Sequence, residues 1–554
     1  MLVKVRSVAN VGLVALPVTV EVDVAEQGFP GFTIVGLAGK AVEEARERVK
    51  TAINNSGMDF PPKKITVNLA PADLPKDGGA YDLPMAVGIL AASGQIQDSR
   101  FMIHDSIYYG ELSLDGDLRA TKGVLLVGLF ARSISPSNPP LTAETRAEGE
   151  KVRGGNLKGV LPEIFVPIES ANEAAVVEGI SVFPVRNLKE LVDHLNEVSV
   201  IKSLGYLVIE DLVEDERVEY DLAEVAGQEQ AKRALTIAAA GGHNLVMWGP
   251  PGTGKTMLAR AMPGILPPLL PAEALEVTRV YSVAGLLQPG ESLVRRRPFR
   301  SPHHGVSAAG MIGGGSNPLP GEVSLAHLGV LFLDEMAEFP RSVLEGLRQP
   351  MEDGQVQIVR AAAHVSYPAS FTLVAAVNPC PCGFLGHPRR ECRCSELAIR
   401  KYRGRMSGPI LDRIDLHVQV PAVEVEKLSN APSGPPVTAK TRAGGEKVRG
   451  GRGSYDGSGD VRKKVIAARK IQEGRFKSDG IFINSQMKNR QVRKYCPLNG
   501  ETERILRLAV EKWDLSARAY FKLIKVARTI ADLGGEKDIL PVHMAEALQY
   551  RQMG

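Results

Sequence analysis

Apolar and polar residues alternate with a period of two across residues 18–24 (VTVEVDV) and 64–69 (KITVNL), which predicts half-buried strands. Between them, residues 40–54 carry Val42, Ala45, Val49 and Ile53 at helical spacing, so an amphipathic helix is expected there. Farther along, short uninterrupted apolar runs take over: 244–248 (NLVMW), 330–333 (VLFL) and 371–377 (FTLVAAV). Runs of this length predict fully buried strands, and a helix is expected to start at 257–261 (MLARA). Residues 355–368 (QVQIVRAAAHVSYP) alternate again and predict a hairpin with Arg360 and His364 near its tip.

Breaks in this patterning divide the chain. Residues 1–205 form a first unit, and acidic residues crowd a linker at 206–220. A second unit runs over 221–427. Residues 428–459, rich in Gly, Pro and Ser, predict a flexible insertion, and helices fill 460–554. Residues 142–155 (TAETRAEGEKVRGG) and 438–451 (TAKTRAGGEKVRGG) match at 12 of 14 positions, which reads as a duplicated insertion in two surface loops. The length of 554 residues suits two to four domains, and 44% hydrophobic with 23% charged residues is ordinary for a soluble globular protein. A net charge of +4 is too small to declare a polyanionic partner by itself. No run of 18 apolar residues occurs and MLVKVRSVAN is no secretory signal, so a cytoplasmic protein without membrane contact is expected.

The apolar run at 244–248 feeds Gly249, Pro250, Pro251, Gly252, Thr253, Gly254, Lys255 and Thr256, which fit G-x-x-x-x-G-K-[ST]. In that loop the glycines let backbone N–H groups turn inward onto phosphates, aided by the positive end of the following helix. Lys255 is expected on the β- and γ-phosphates, and the Thr256 hydroxyl on Mg²⁺. After the run VLFL, Asp334 can hold the Mg²⁺ side and Glu335 can orient an attacking water. Together these predict an ATPase using ATP and Mg²⁺. Four of the five cysteines, Cys380, Cys382, Cys392 and Cys394, fall within fifteen residues, which speaks against a scattered disulfide framework. Four thiols suit tetrahedral Zn²⁺, although the C-x-C pairs are tighter than the usual C-x₂-C. His387 is an alternative ligand, and a reduced thiol cluster or a redox pair is the other reading. Three basic elements suit nucleic-acid phosphates: 295–300 (RRRPFR, ending in Arg300), the hairpin with Arg360 and His364, and 461–495, where Lys and Arg outnumber acids eleven to two.

The long blocks GGHNLVMWGPPGTGKTMLARAMPGILPPL, RPFRSPHHGVSAAGMIGGGSNPLPGEVSLAHLGVLFLDEMAEF, VAAVNPCPCG, SGPILDRIDLHVQVP and LSARAYFKLIKVARTIADL resemble the AAA+ magnesium-chelatase-like family, most closely its ComM/YifB-type bacterial members. The resemblance implies an α/β fold: a P-loop AAA+ core over 221–427 with a helix-2 insert near residues 310–321 and a pre-sensor-1 hairpin, followed by a C-terminal helical lid. It implies that Asn378 is sensor 1, that Arg413 is the arginine finger, with Arg405 as its rival, and that Arg518 is sensor 2. A finger acting on a neighbour implies a homohexameric ring. Residues 1–205 resemble the fold shared by Lon-type proteases and the second domain of ribosomal protein S5. The nucleophile position there holds Ala80 and the lysine position falls at about Leu125, so no Ser–Lys dyad is expected, and the domain is expected to support ring assembly or nucleic-acid contact. The function implied is an ATP-driven motor on single-stranded or branched DNA that promotes branch migration and DNA integration. The alternative is a chelatase-like or chaperone-type ATPase that remodels a protein partner.

Overall fold

The computed structural model describes residues 1–27, 29–36, 40–74, 76, 78–97, 103–135, 161–212, 219–315, 318–360, 363–387, 389–422 and 457–551. Both copies of the 14-residue repeat, most of the 428–459 segment and residues 213–218 of the acidic linker lie outside them.

The first unit is built on a mixed seven-stranded sheet. Its spatial order is Gly31–Val35, Lys64–Ala70, Val14–Val24, Leu2–Val11, Ile107–Tyr108, Glu163–Pro167 and Ser181–Val185. The alternation expected in Val14–Val24 is realised: Val18, Val20, Val22 and Val24 face the core, while Asp23 points to solvent. Lys40–Asn55 is the expected helix, and Val42, Ala45, Val49 and Ile53 are fully buried along one face. The helix Asp82–Ala92 is buried throughout, and its Asp82 carboxylate accepts from Arg48 Nε at 2.9 Å. Burial raises Asp82 to about 6 even though Arg48 opposes the shift.

The second unit contains a parallel five-stranded sheet in the spatial order Phe299–Arg300, Val330–Leu333, Thr372–Val377, Leu245–Trp248, Leu416–Gln419. Parallel strands hold their turns in register, so the C-terminal ends of three adjacent strands deliver Gly249, Asp334 and Asn378 to a single edge. The mixed α/β architecture with this sheet is consistent with an AAA+ core. The C-terminal helices Ser458–Phe476, Asn489–Tyr495, Gly500–Trp513, Ala517–Gly534 and Pro541–Gln549 share one hydrophobic core with Glu229–Gly241, Lys255–Ile265 and the sheet.

The two units also share a core. The helix Pro271–Ala284 docks on the first unit, where Gly123 N–H donates to Ser282 O at 3.0 Å and Gly290 N–H to Glu169 O at 2.9 Å. Ser282 Oγ donates to the buried Glu173 carboxylate at 2.5 Å. Around these bonds Leu125, Val176 and Val177 pack with Leu269, Ala274, Val277 and Leu293. Leu125 thus forms part of the seam with the second unit, and Ala80 is buried with Val8, Ile107 and Tyr109. Lys76 is buried and turned onto Pro71 O, and Lys122 lies against Gly285. Leu125→Ala should open a cavity in the seam and lower the unfolding free energy by about 2–5 kcal/mol. Denaturant melts measure this, and amide exchange at Gly123 and Gly290 should accelerate first; an unchanged midpoint would show that the seam contributes no stability.

Candidate functional site: a phosphate cradle, a thiol cluster and two remote arginines

Gly249 follows the strand Leu245–Trp248 and packs so tightly against the neighbouring strand's exit that a Cβ would come within 2.1 Å of Val420 O. Gly252 and Gly254, at φ +76° and +88°, then reverse the chain into the helix Lys255–Ile265. Thr253 Oγ1 donates to Pro250 O at 3.0 Å, which closes the loop on itself. The Lys255 ammonium is held inside it by Gly249 O and Pro250 O, each at 2.7 Å, with Asn378 Oδ1 at 3.4 Å. Burial pulls Lys255 down to about 8 against the pull of Asp334 and Glu335. A buried cation satisfied only by carbonyls fits an anion-binding cradle, because phosphate oxygens would replace those carbonyls.

Thr256 Oγ1 donates to Asp334 Oδ2 at 2.9 Å, which brings together a hydroxyl and a carboxylate, oxygen donors of the kind that suit Mg²⁺. Val330–Leu333 is buried over its whole length and fixes Asp334. Glu335 adopts φ +51°, a left-handed conformation that costs a non-glycine residue energy, with its N–H on Asp334 Oδ1 at 3.0 Å. That turn leaves its side chain exposed at the same edge. The structure therefore brings Lys255, Thr256, Asp334, Glu335 and Asn378 together.

Directly after Asn378 the chain enters the cysteine loop. Cys380 Sγ lies 3.4 Å from Cys382 Sγ and 3.6 Å from Cys392 Sγ, and all four sulfurs lie within 4.8 Å of one another. A tetrahedron of thiolates about 2.3 Å from Zn²⁺ has edges of about 3.8 Å, so the spacing fits the ion. Backbone N–H groups of Phe384 and Arg393 pull the Cys382 thiol down to about 6. His387 Nδ1 instead accepts the N–H groups of Arg389 and Arg390, each at 3.1 Å, which folds the loop. The loop rests on the cradle itself: a Cβ on Gly383 would come within 2.7 Å of Pro251.

Arg413 and Arg518 lie elsewhere. Both line a cleft of about 780 Å³ with Asn244 and Thr372, at the N-terminal ends of the strands, opposite the chain's own P-loop. Arg413 Nη2 is 3.0 Å and Arg518 Nη2 2.8 Å from the same oxygen, Oε1 of Glu352. Arg405, the rival finger, pairs with Glu338 at 2.5 Å beside the segment that follows Glu335. Glu352 carries no signal in the sequence, because an acid at the end of a short helix is ordinarily a solvated charge.

The strands Gln355–Arg360 and Ala363–Pro368 form the expected antiparallel hairpin. Val356, Ile358, Val365 and Tyr367 face the core, whereas Gln357, Val359, His364 and Ser366 face out. The Arg360 side chain lies outside the described residues. Arg300 already has an internal partner: its Nε and Nη2 donate to Glu322 at 2.7 and 2.8 Å. The basic stretch 461–495 is likewise partly structural, since Arg469 donates to Ala239 O and Arg475 pairs with Asp532.

Comparison with known proteins identifies the lineage. Residues 221–428 match the family of magnesium chelatase, subunit ChlI; residues 20–138 match subunit ChlI of Mg-chelatase; and residues 456–551 match the ChlI C-terminal region. The chain is 41% identical to Competence protein ComM of Haemophilus influenzae over 99% of its own length and 97% of the relative's. It is 40% identical to YifB of Salmonella typhimurium, an uncharacterized protein, over 99% of this chain and 96% of that one. The Magnesium-chelatase 67 kDa subunit of Heliobacterium mobile is 29% identical over 30% of this chain and 29% of its own. The chain belongs to the AAA+ magnesium-chelatase-like family, ComM/YifB type, and that membership implies ATP and Mg²⁺ as its cofactors.

The lowered Lys255 gives a pH dependence with a defined sign. Below about pH 8 the free cradle holds a charged lysine, and phosphates bind without proton uptake. Above it the lysine is neutral, so binding must capture a proton and affinity should fall by about tenfold per pH unit. Nucleotide binding titrated from pH 7 to 9.5 checks this. A flat profile would mean that Lys255 does not meet the phosphates as a cation.

Proposed function

We propose that this member of the family is an ATP-hydrolysing motor that assembles as a homohexameric ring and works on single-stranded or branched DNA, driving branch migration in recombination or transformation. Its substrates would place it in the cytoplasm. Thr256 and Asp334 would hold Mg²⁺, Glu335 would orient the attacking water with Asn378, and Lys255 would neutralise the phosphates. Arg413 and Arg518, remote from their own P-loop, suit an action on the nucleotide of the adjacent subunit. The first unit, read as an S5/Lon-like domain, would brace the ring through its seam with Pro271–Ala284.

The observation that carries the DNA reading is the continuity from hairpin to cradle. The hairpin's second strand, Ala363–Pro368, turns through residues 369–371 into Thr372–Val377, which ends at Asn378 beside Lys255. A change at the γ-phosphate thus has a short, buried strand through which to move the exposed hairpin, where Arg360 and His364 would meet phosphates. The competence name of the Haemophilus relative supports the same substrate. Val359, exposed and paired with His364 across the hairpin, favours a second reading, in which the hairpin grips a protein and the ATPase remodels it.

Forked and four-way DNA should stimulate the ATPase, and Arg360→Ala should keep the DNA-free rate while losing most of that stimulation. Binding should weaken steeply between about 50 and 200 mM salt with little base preference, because backbone contacts carry the affinity. Flat salt dependence, with wild-type strand displacement by Arg360→Ala, would favour the protein-remodelling reading.

The thiol cluster is read as a structural Zn²⁺ site that ties the end of the sensor strand to the P-loop. One zinc per chain is expected in protein purified without a His tag, and Cys392→Ser should abolish it. Metal well below one equivalent, or unaffected by that substitution, would leave a plain thiol cluster.

A further inference from the structure

Glu352 is the carboxylate on which two arginines from separate segments meet. Arg413 reaches it from the turn before Leu416–Gln419, and Arg518 from the first turn of Ala517–Gly534, both through Oε1. Two full positive charges therefore share one negative charge. Arg413 Nε is buried and has no acceptor among the described residues. Among the described residues no second carboxylate pairs with either guanidinium, and the chain's own nucleotide cradle lies at the other end of the strands, so an anion from a neighbouring subunit fits the cluster. A subunit placed against this cleft would supply it as a nucleotide phosphate, an anion whose oxygens match the planar guanidinium fork as a carboxylate does.

Glu352 is also joined to the hairpin. It lies in the helix Arg348–Asp353, which ends at Gly354 in a left-handed conformation, φ +65°. Gly354 is the root of both hairpin strands, since Gln355 follows it and Ala369 N–H donates to Gly354 O at 2.7 Å. Rotation at this glycine that tilts the hairpin would displace a carboxylate two residues away. The pair it makes with Arg518 is half-exposed on both sides, so its net strength is small and a phosphate can displace it.

We propose that Glu352 is a positioning residue that restrains Arg413 and Arg518 until the hairpin is loaded. In the resting subunit its carboxylate occupies the guanidinium groups that the neighbour's phosphate requires. Loading the hairpin draws the carboxylate away and frees both arginines together. The inference rests on the ring and hairpin readings above, and adds to them a route by which the occupied hairpin of one subunit activates hydrolysis at the next.

Glu352→Gln keeps the side chain's shape and removes its charge. Its ATPase without DNA should rise about two- to fivefold, the range that releasing a half-exposed ion pair allows, with KM for ATP unchanged. Forked DNA should then add proportionately less than it adds to wild type. Glu352→Ala should behave alike, and Glu352→Gln should give a smaller fold-gain in an Arg518→Ala background than in wild type, whereas a purely structural effect of Glu352 would give the same fold-change in both. A DNA-free rate that stays level or falls in both single variants overturns the restraint. If wild-type ATPase ignores DNA, the DNA reading fails, while the DNA-free gain still decides whether Glu352 restrains the arginines.

Discussion

A buried charge knot at Asp415 fixes the relative placement of the elements around the candidate site. Asp415 stands just before the strand Leu416–Gln419, and Lys522 of the C-terminal helices reaches it at 2.8 Å. His243, just before the P-loop strand, meets its other oxygen at 3.3 Å and closes on Thr529 Oγ1 at 2.8 Å. Burial pushes the Asp415 carboxyl up, but Lys522 and His243 override it and hold the carboxyl far below its usual range. A buried pair of this kind adds little net stability, while breaking it is costly. What it supplies is register: the P-loop strand, the last strand and the lid are pinned to one point. Arg413 lies two residues before Asp415 and Arg518 one helical turn before Lys522, so the same knot sets where both arginines emerge.

The opposite end of the sheet shows how little free space separates binding from support. Asn378 touches the lysine that would hold phosphate, and two residues later the first of four clustered thiols begins a loop that returns to rest on Pro251. The P-loop is thereby enclosed between the strand Leu416–Gln419, whose exit crowds Gly249, and the cysteine loop, which crowds Pro251. Rigidity here has a chemical use, because a cradle that keeps a lysine buried and a threonine on its aspartate loses little entropy when phosphate arrives.

Much of this was legible in the chain. The period-two runs, the helix carrying Val42, Ala45, Val49 and Ile53, the buried strands and the hairpin all appear within a few residues of their expected bounds, because burial of one face imposes a local period that a sequence cannot hide. Gly249–Thr256 and Asp334–Glu335 were equally legible, since a phosphate loop demands fixed residue types at fixed spacing. Arg300 marks where local pattern stops: a cationic run reads the same whether its partner is a nucleic-acid phosphate or an internal Glu322, and only the fold brings Glu322 there.

Local pattern and motif spacing by themselves determined the element types, the cradle, and the set of thiols able to ligate a metal. The tertiary structure alone decided which distant groups face one another. It put Glu352 between Arg413 and Arg518, tied His243 and Lys522 to Asp415, set Gly383 on Pro251, and buried Leu125 in the seam with the ATPase unit. These are contacts between segments far apart in the chain. Their energies depend on the dielectric and the partners that folding creates, and no local period or residue spacing encodes them.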